Sequence, residues 1–271
     1  MVSIQTYKPK ILSPFIKSFW YLKVSENFTA PYIEEILPDG HHEIIFHLTP
    51  PPVRKRNGSE DWQRDHSVFF AGQNKKSYTQ RLNPGSVIYG IRFQPHTQAI
   101  FYDFPASLST ENLISFHEIA ANDIIASCID ESPQKTFANL EKELIKKASR
   151  LEKPADTFLY VDAAVRSILQ HKGNVKMKSL EKITGVTARH LEKSFKKFVG
   201  LSPKHISNII KYGQFVNYKK NNPGKMLTEC AYEAEFYDQS HLIYLSNLIT
   251  GQSPKTYFTK LNYINNFFLE P

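Results

Sequence analysis

The sequence predicts an α+β protein: a β-rich barrel or sandwich with flanking helices over residues 1–152, then an all-helical domain over residues 153–271. Three observations predict it. Short apolar-aromatic runs separated by turn signals crowd the first half, where most of the 16 prolines fall. From Thr157 onward the apolar residues recur at the three-to-four spacing of helices. A Gly-x-Ser-Pro-Lys device then occurs twice, as GLSPKHI (Gly200–Ile206) and GQSPKTY (Gly251–Tyr257), each closing a helix that follows a turn. At 271 residues the chain exceeds the usual single-domain size, and its 41% hydrophobic content supports real cores.

In the first half, Ser18–Val24, Pro31–Leu37, His42–Leu48, Ser67–Gly72, Tyr78–Leu82 and Val87–Phe93 read as strands. Pro38-Asp39-Gly40, Asn83-Pro84-Gly85 and Pro95 break the chain between or after them. Pro50–Asp65, with three consecutive prolines, a basic RKR and an acidic SED, reads as a long exposed loop. Thr97–Phe104 reads as one helix and Ser115 towards Cys128 as a second. A third follows Pro133, its stripe of Phe137, Leu140, Leu144, Ile145 and Ala148 destined for the barrel or a second subunit. Arg150–Asp156, with Pro154, reads as a linker. Cys128 and Cys230 fall one in each domain and read as small buried apolar residues rather than a disulfide or metal pair.

In the second half, Phe158, Val161, Val165, Ile168 and Leu169 line a first helix that stops near Gly173. Val175–Thr184 is the scaffold helix of a helix-turn-helix. Gly185 suits its tight turn, and Thr187 suits the N-cap of the second helix. Leu191, Phe195 and Phe198 form that helix's buried stripe, and Gly200 with Pro203 stops it. Arg189, His190, Lys193, Lys196 and Lys197 lie on or beside the other faces. A lysine-rich helix face is often merely solvated, but here the surroundings weigh against that. Between Arg166 and Lys225 there are fourteen Lys+Arg against two Asp+Glu, a net of +12 in a chain of net +8. Self-repulsion makes such an imbalance unfavourable for folding, and a polyphosphate partner relieves it while releasing counterions. A longer helix, His205–Lys220, carries Ile206, Ile209, Ile210, Tyr212 and Phe215 and breaks at Pro223-Gly224. Leu227–Ala234, a turn at Tyr237–Ser240 and His241–Thr250 then form a second helix-turn-helix. Two recognition helices ~34 Å apart can enter successive major grooves on one face of DNA.

In order and spacing this pair resembles the DNA-binding domain of AraC-type transcription regulators, over roughly Asp162 to Phe258. The first motif matches through Gly185, Thr187, Arg189, Leu191, Lys193, Phe195 and Gly200–Pro203. The second matches through Ala231, Phe236, Asp238–His241 and Gly251–Pro254. The front half is similar to the N-terminal domain of a subset of these regulators, at Phe15-Ile16, Trp20, Pro38–Gly40, Glu43–Phe46, Gly72 and Gly90 to Phe93. The resemblance implies a sequence-specific DNA-binding regulator whose first motif supplies most affinity. Arg189 and His190 are expected at base edges, Lys193, Lys196 and Lys197 at phosphates, and Thr187 and Ala188 at the helix N-terminus. Gln239, Ser240, His241 and Tyr244 are the second motif's counterparts. The sequence departs from the family pattern at Glu181, usually small, and at Glu235, usually glycine. Further on, Leu242 replaces an aromatic, Ser246 a phenylalanine, and Tyr244, Asn247 and Leu248 basic residues. From Met226 to Pro271 two Lys+Arg face five Asp+Glu, so the second unit keeps the skeleton without the cationic face.

Trp20, Tyr32, Phe46, Phe69 and Tyr89 are candidates to line a small-molecule pocket, although core packing is the commoner use of such residues. His41, His42, Glu43 and His47 lie close together. On a strand His42 faces away from the other three, and no second histidine motif follows, so no metal is expected. Glycine-rich phosphate loops and cysteine-based motifs are absent, and neither catalysis nor a cofactor is expected. No run approaches the ~18 apolar residues of a membrane span, and the N-terminus lacks the apolar stretch of a secretion signal, which makes the cytoplasm the expected location. The expected partners are double-stranded DNA and, through the N-terminal domain, a small-molecule effector or a second copy of the chain. The alternative is a ligand-binding or protein-interaction module that retains the regulator fold with weak or lost DNA recognition.

Overall fold

The computed structural model describes residues 1–151, 155–259 and 264; the centre of the expected linker, 152–154, lies outside the described residues. The first half opens with strands β1 (Val2–Tyr7), β2 (Ile16–Val24), β3 (Tyr32–Ile36), β4 (Glu43–His47), β5 (Val53–Arg56) and β6 (Trp62–Arg64). It continues with β7 (Val68–Ala71), β8 (Tyr78–Leu82), β9 (Val87–Phe93), the one-turn helix α1 (Gln98–Phe101) and β10 (Leu113–Ser115). Helices α2 (Phe116–Ala120) and α3 (Pro133–Ala148) complete it. The strands form a sandwich of two antiparallel sheets, one of order β1-β2-β9-β4-β7-β10 and one of order β3-β8-β5-β6.

The period-two alternation of β2 divides the core. Trp20, Leu22 and Val24 point between the sheets, where they meet Ile45, Phe69, Leu82 and Ile88. Phe19 points the other way, into a cluster with Phe46, Phe70, Tyr89 and Ile91 that α3 covers with Phe137, Leu140 and Leu144. The α3 stripe therefore packs on the chain's own sheet. Full burial of each such side chain contributes roughly 1.5–3 kcal/mol. Gly90 is the cross-strand partner of Trp20, and a Cβ there would lie 2.1 Å from the indole.

Strand β1 was not expected, and the helix expected over Thr97–Phe104 shortens to the single turn Gln98–Phe101. Two further stretches change class. Pro50–Asp65 is not an exposed loop: its core is the β5–β6 hairpin, pairing Val53 with Arg64. One charge pair closes across it, the Arg54 guanidinium making two bonds to the buried Asp65 carboxylate (2.5 and 2.8 Å). The Ser115–Cys128 stretch is not one helix. It divides into β10, α2 and a 3-10 turn at Ile124–Cys128, because Asp123 caps a new start by accepting the Ile125 N–H (3.0 Å).

The second half is α4 (Asp156–Gln170), α5 (Met177–Thr184), α6 (Ala188–Phe198), α7 (Pro203–Asn221), α8 (Leu227–Glu233), α9 (Gln239–Thr250) and α10 (Pro254–Tyr257). Helix α7 is about 28 Å long at 1.5 Å per residue. Its first half gives Ile206 and Ile209 to a core with Val161, Leu180, Leu191 and Phe195. Its second half gives Tyr212, Phe215 and Val216 to a core with Ala231, Leu242, Leu245 and Ile249. The repeated Gly-x-Ser-Pro device stops one helix and starts the next. Gly200 (φ +85°) and Gly251 (φ +68°) take left-handed conformations, and Ser202 and Ser253 cap α7 and α10 by accepting from His205 and Thr256 N–H (each 3.2 Å). Cys128 and Cys230 are both buried and unbridged. Among the described residues no helix is long and apolar enough to cross a membrane.

Candidate nucleic-acid interface

In the first unit α5 ends at Gly185 (φ +71°), and Thr187 caps α6 by accepting the His190 N–H (3.4 Å). Leu191, Ser194 and Phe195 turn inward, which leaves Arg189, Lys193, Lys196 and Lys197 exposed on the outer faces and Ala188 half-buried. His190 is also exposed, but its Nε2 hydrogen-bonds the Tyr160 hydroxyl on α4, so the ring is drawn towards the scaffold. Glu181, one of the departures, has a definite task. Its Oε1 accepts the Ala188 N–H (2.6 Å), placing a carboxylate on the amide end of α6, where the helix dipole favours negative charge.

The second unit repeats the scheme with other residues. Asp238 caps α9 by accepting the His241 N–H (2.7 Å). Gln239, Ser240 and Tyr244 are exposed and His241 is half-buried. Where the first unit turns on a glycine, Glu235 holds φ +57°, with its carbonyl accepting from Lys211 Nζ (2.8 Å). Ser246 is fully buried; its hydroxyl lies 3.0 Å from that of Tyr212 and donates to the Gln252 carbonyl (2.8 Å). A polar network thus fills the place of an aromatic ring.

The N-terminal sandwich grips the C-terminal ends of both α6 and α9 through backbone carbonyls those ends leave open. At the end of α6, His42 Nε2 donates to the Val199 carbonyl (3.0 Å) and the Thr110 hydroxyl to the Gly200 carbonyl (3.1 Å). A Cβ on Gly200 would sit 2.3 Å from Thr110 Oγ1, so this approach also requires glycine. At the end of α9, the Ser77 N–H donates to the Ile249 carbonyl (2.7 Å) and the Asn57 amide to that of Thr250. Gln252 adds a bond to the Glu35 carboxylate (2.9 Å), and His96 bonds Asp162 of α4 (3.0 Å), which also holds Arg166 (2.8 Å).

Between the two sheets lies a cavity of about 80 Å³. Of the five aromatic candidates, Trp20 lines it. Phe69 packs in the inter-sheet core beside it, Tyr32 bonds Glu34 at the margin, and Phe46 and Tyr89 lie on the opposite face of the sheet. Strand alternation thus puts Trp20, Phe69 and Tyr32 on the inter-sheet side and Phe46 and Tyr89 on the other. His41, Glu43 and His47 share the cavity wall while His42 points to α6, as their spacing on a strand requires, yet no group of three among the described residues is placed to hold a metal ion. Arg92 ties the polar end together through Asp39 and Glu43 (3.4 Å to Glu43), and Trp20 Nε1 donates to the same Glu43 oxygen (3.1 Å). Burial pushes the Glu43 carboxyl up to about 7, against the pull of Arg92. In the sequence Arg92 enters only as part of the Gly90 to Phe93 match and not as a site residue, although a lone arginine within the apolar run VIYGIRF is a visible sign of a buried ion pair.

A family described as a domain of unknown function (DUF6597) matches residues 5–115. No curated protein matches the chain in sequence. Among solved structures, ToxT from Vibrio cholerae bound to (E)-4-(8-methylnaphthalen-1-yl)but-3-enoic acid superposes with a TM-score of 0.47 at 10% identity, covering 99% of this chain and 100% of that one. ToxT of strain SCE256 bound to unsaturated fatty acid gives 0.44 at 12% identity, covering 96% and 95%. CuxR, an AraC-like transcriptional activator, gives 0.25 at 11% identity, covering 72% and 80%.

Proposed function

We propose that the protein is an AraC-type, sequence-specific DNA-binding transcription regulator of the cytoplasm, with an effector-binding or dimerisation domain over 1–152 and the DNA-binding domain over 153–271. The observation that carries this reading is the outer surface of α6. Arg189, Lys193, Lys196 and Lys197 stand exposed on a fully packed helix-turn-helix, inside a segment of net +12. Arg189 reads a base edge, where a guanidinium bonds guanine bidentately, and the three lysines hold phosphates. Thr187, Ala188 and His190 flank them at the helix start. The second unit offers Gln239, Ser240, His241 and Tyr244 and contributes position more than affinity.

The test is to select bound fragments from random duplexes and titrate the winner at several salt concentrations. Affinity falls with a log–log slope of about −0.9 for each phosphate neutralised, and a flat response removes electrostatic DNA binding from the account. The interaction-module alternative is favoured by one observation: Glu181 already occupies the first amide of α6, where a phosphate would otherwise bind. A selection that enriches no sequence, with no salt-dependent binding, makes that reading the better one.

A further inference from the structure

Taking the N-terminal domain as a ligand sensor, we propose that the cavity between its sheets binds a small amphipathic amine, with the ammonium on Glu43 and the apolar body along Ile45, Leu82 and Ile88. Among the described residues, two carboxylates, Asp39 and Glu43, and one guanidinium, Arg92, line the cavity. Asp39 is engaged on both oxygens, by the His41 N–H (2.9 Å) and by Arg92. Glu43 is engaged on one. Its Oε1 accepts from Trp20 and Arg92, and its Oε2 takes no hydrogen bond among the described residues. With both carboxylates ionised, one negative charge is left without a partner in the lining. Lys17 senses Arg92 and Asp39 from outside the wall, and Arg54 is bound to Asp65.

The neutral groups point to the same chemistry. His41 donates through Nδ1 to the Phe93 carbonyl (2.8 Å), which leaves Nε2 as an acceptor, and burial holds the ring neutral by pushing it down to about 3. Gln73 donates its amide to the Gly40 carbonyl (2.8 Å), which leaves its oxygen. The His47 side chain is 1% exposed and has no hydrogen-bond partner on either nitrogen; Asp65 Oδ2, 3.6 Å from Nε2, is too distant. An ammonium brings charge and three donors to acceptors that lack them, whereas a carboxylate or phosphate meets like charge. At about 80 Å³ the space is far below the ~300–1,000 Å³ of a drug-sized site. It suits one ring on a short arm, beside the face of Trp20. His47 lies beyond Ile45 on the same face of β4, placed to bond a second polar group at the far end of the ligand.

The experiment uses the full chain at pH 8 with phenethylamine, tyramine, 3-phenylpropionate and 2-phenylethanol, followed by calorimetry and thermal shift. Both amines bind and raise the melting temperature, tyramine several-fold tighter, and 3-phenylpropionate binds at least tenfold more weakly. Glu43→Gln, nearly isosteric, weakens the amines tenfold or more, and His47→Phe removes the preference for tyramine. The proposal is overturned if the carboxylate matches the amines or if Glu43→Gln changes nothing. Binding of the acid or alcohol alone leaves a sensor of another ligand class, and binding of none of the four removes the sensor reading as well.

Discussion

Counted back from Gly200 and Gly251, helices α6 and α9 align without a gap. Leu191 matches Leu242 and both are buried; Thr187 matches Asp238 and both cap; His190 and His241 supply the capped amides. Between these fixed points the units diverge. Lys193, Lys196 and Lys197 stand opposite Tyr244, Asn247 and Leu248, and Phe195 stands opposite Ser246. Caps, a leucine, further buried residues and a terminal glycine recur with the shape, and neither the cationic face nor the aromatic core residue is needed for it. Charge that the shape does not require is the stronger sign of a partner.

Four perturbations test this contrast. The largest effect lies in the cores. Phe195→Ala opens a cavity and lowers stability by ~3–5 kcal/mol in urea denaturation, while Ser246→Ala lowers it by ~1–3 kcal/mol through the weakened Tyr212 network. Equal losses would mean the second core leans on its network as heavily as the first on its ring.

The next largest is a pH effect on the first unit's attachment. Burial pushes His42 down from 6.5 to about 4, so the folded chain holds the neutral ring. Its contribution is complete above pH 6.5 and is lost as pH falls towards 4, up to ~3 kcal/mol by linkage. Stability followed from pH 7 to 4.5 falls less steeply in His42→Gln. Hydrogen exchange in the same window rises at the end of α6 before the end of α9, which Asn57 and a backbone amide hold.

On selected DNA, Arg189→Ala loses ~1–3 kcal/mol of affinity and relaxes one base position. Tyr244→Ala stays within ~0.5 kcal/mol, and Tyr244→Arg tightens binding by adding a charge-assisted contact. The reverse ranking places the reading head in the second unit. The smallest effects belong to the turns. Glu235→Gly relieves a left-handed backbone and gains ~0.5–1 kcal/mol in thermal unfolding. Gly185→Ala, with nothing within 4 Å to meet the new Cβ, loses ~1 kcal/mol from φ alone.

The strands from β2 to β9 that carry alternating aromatic and β-branched residues between clear breakers were legible, and so was every long helix of the second half. The β5–β6 hairpin was not. Arg54 and Asp65 are eleven residues apart and look like surface charges until pairing brings them together. The exposed cations of α6 followed from periodicity alone. The grip on the recognition helices had no sequence signal, because its acceptors are main-chain carbonyls that every residue carries. Glu181 was visible only as an oddity. Its role as a cap across the turn needs the angle between α5 and α6.

The attachments divide cleanly between the sheets. His42 leads into β4, Thr110 precedes β10 and His96 follows β9, so the first unit hangs from the six-stranded sheet. Asn57 follows β5, Ser77 precedes β8 and Glu35 lies in β3, so the second hangs from the four-stranded one. The sandwich is in this sense a caliper, its jaws the two sheets, its tips the two recognition helices and its pivot α7. The spacing of the tips then rests on how Trp20, Phe69, Leu82 and Ile88 fill the gap between the sheets, and any DNA read as proposed above would meet that spacing.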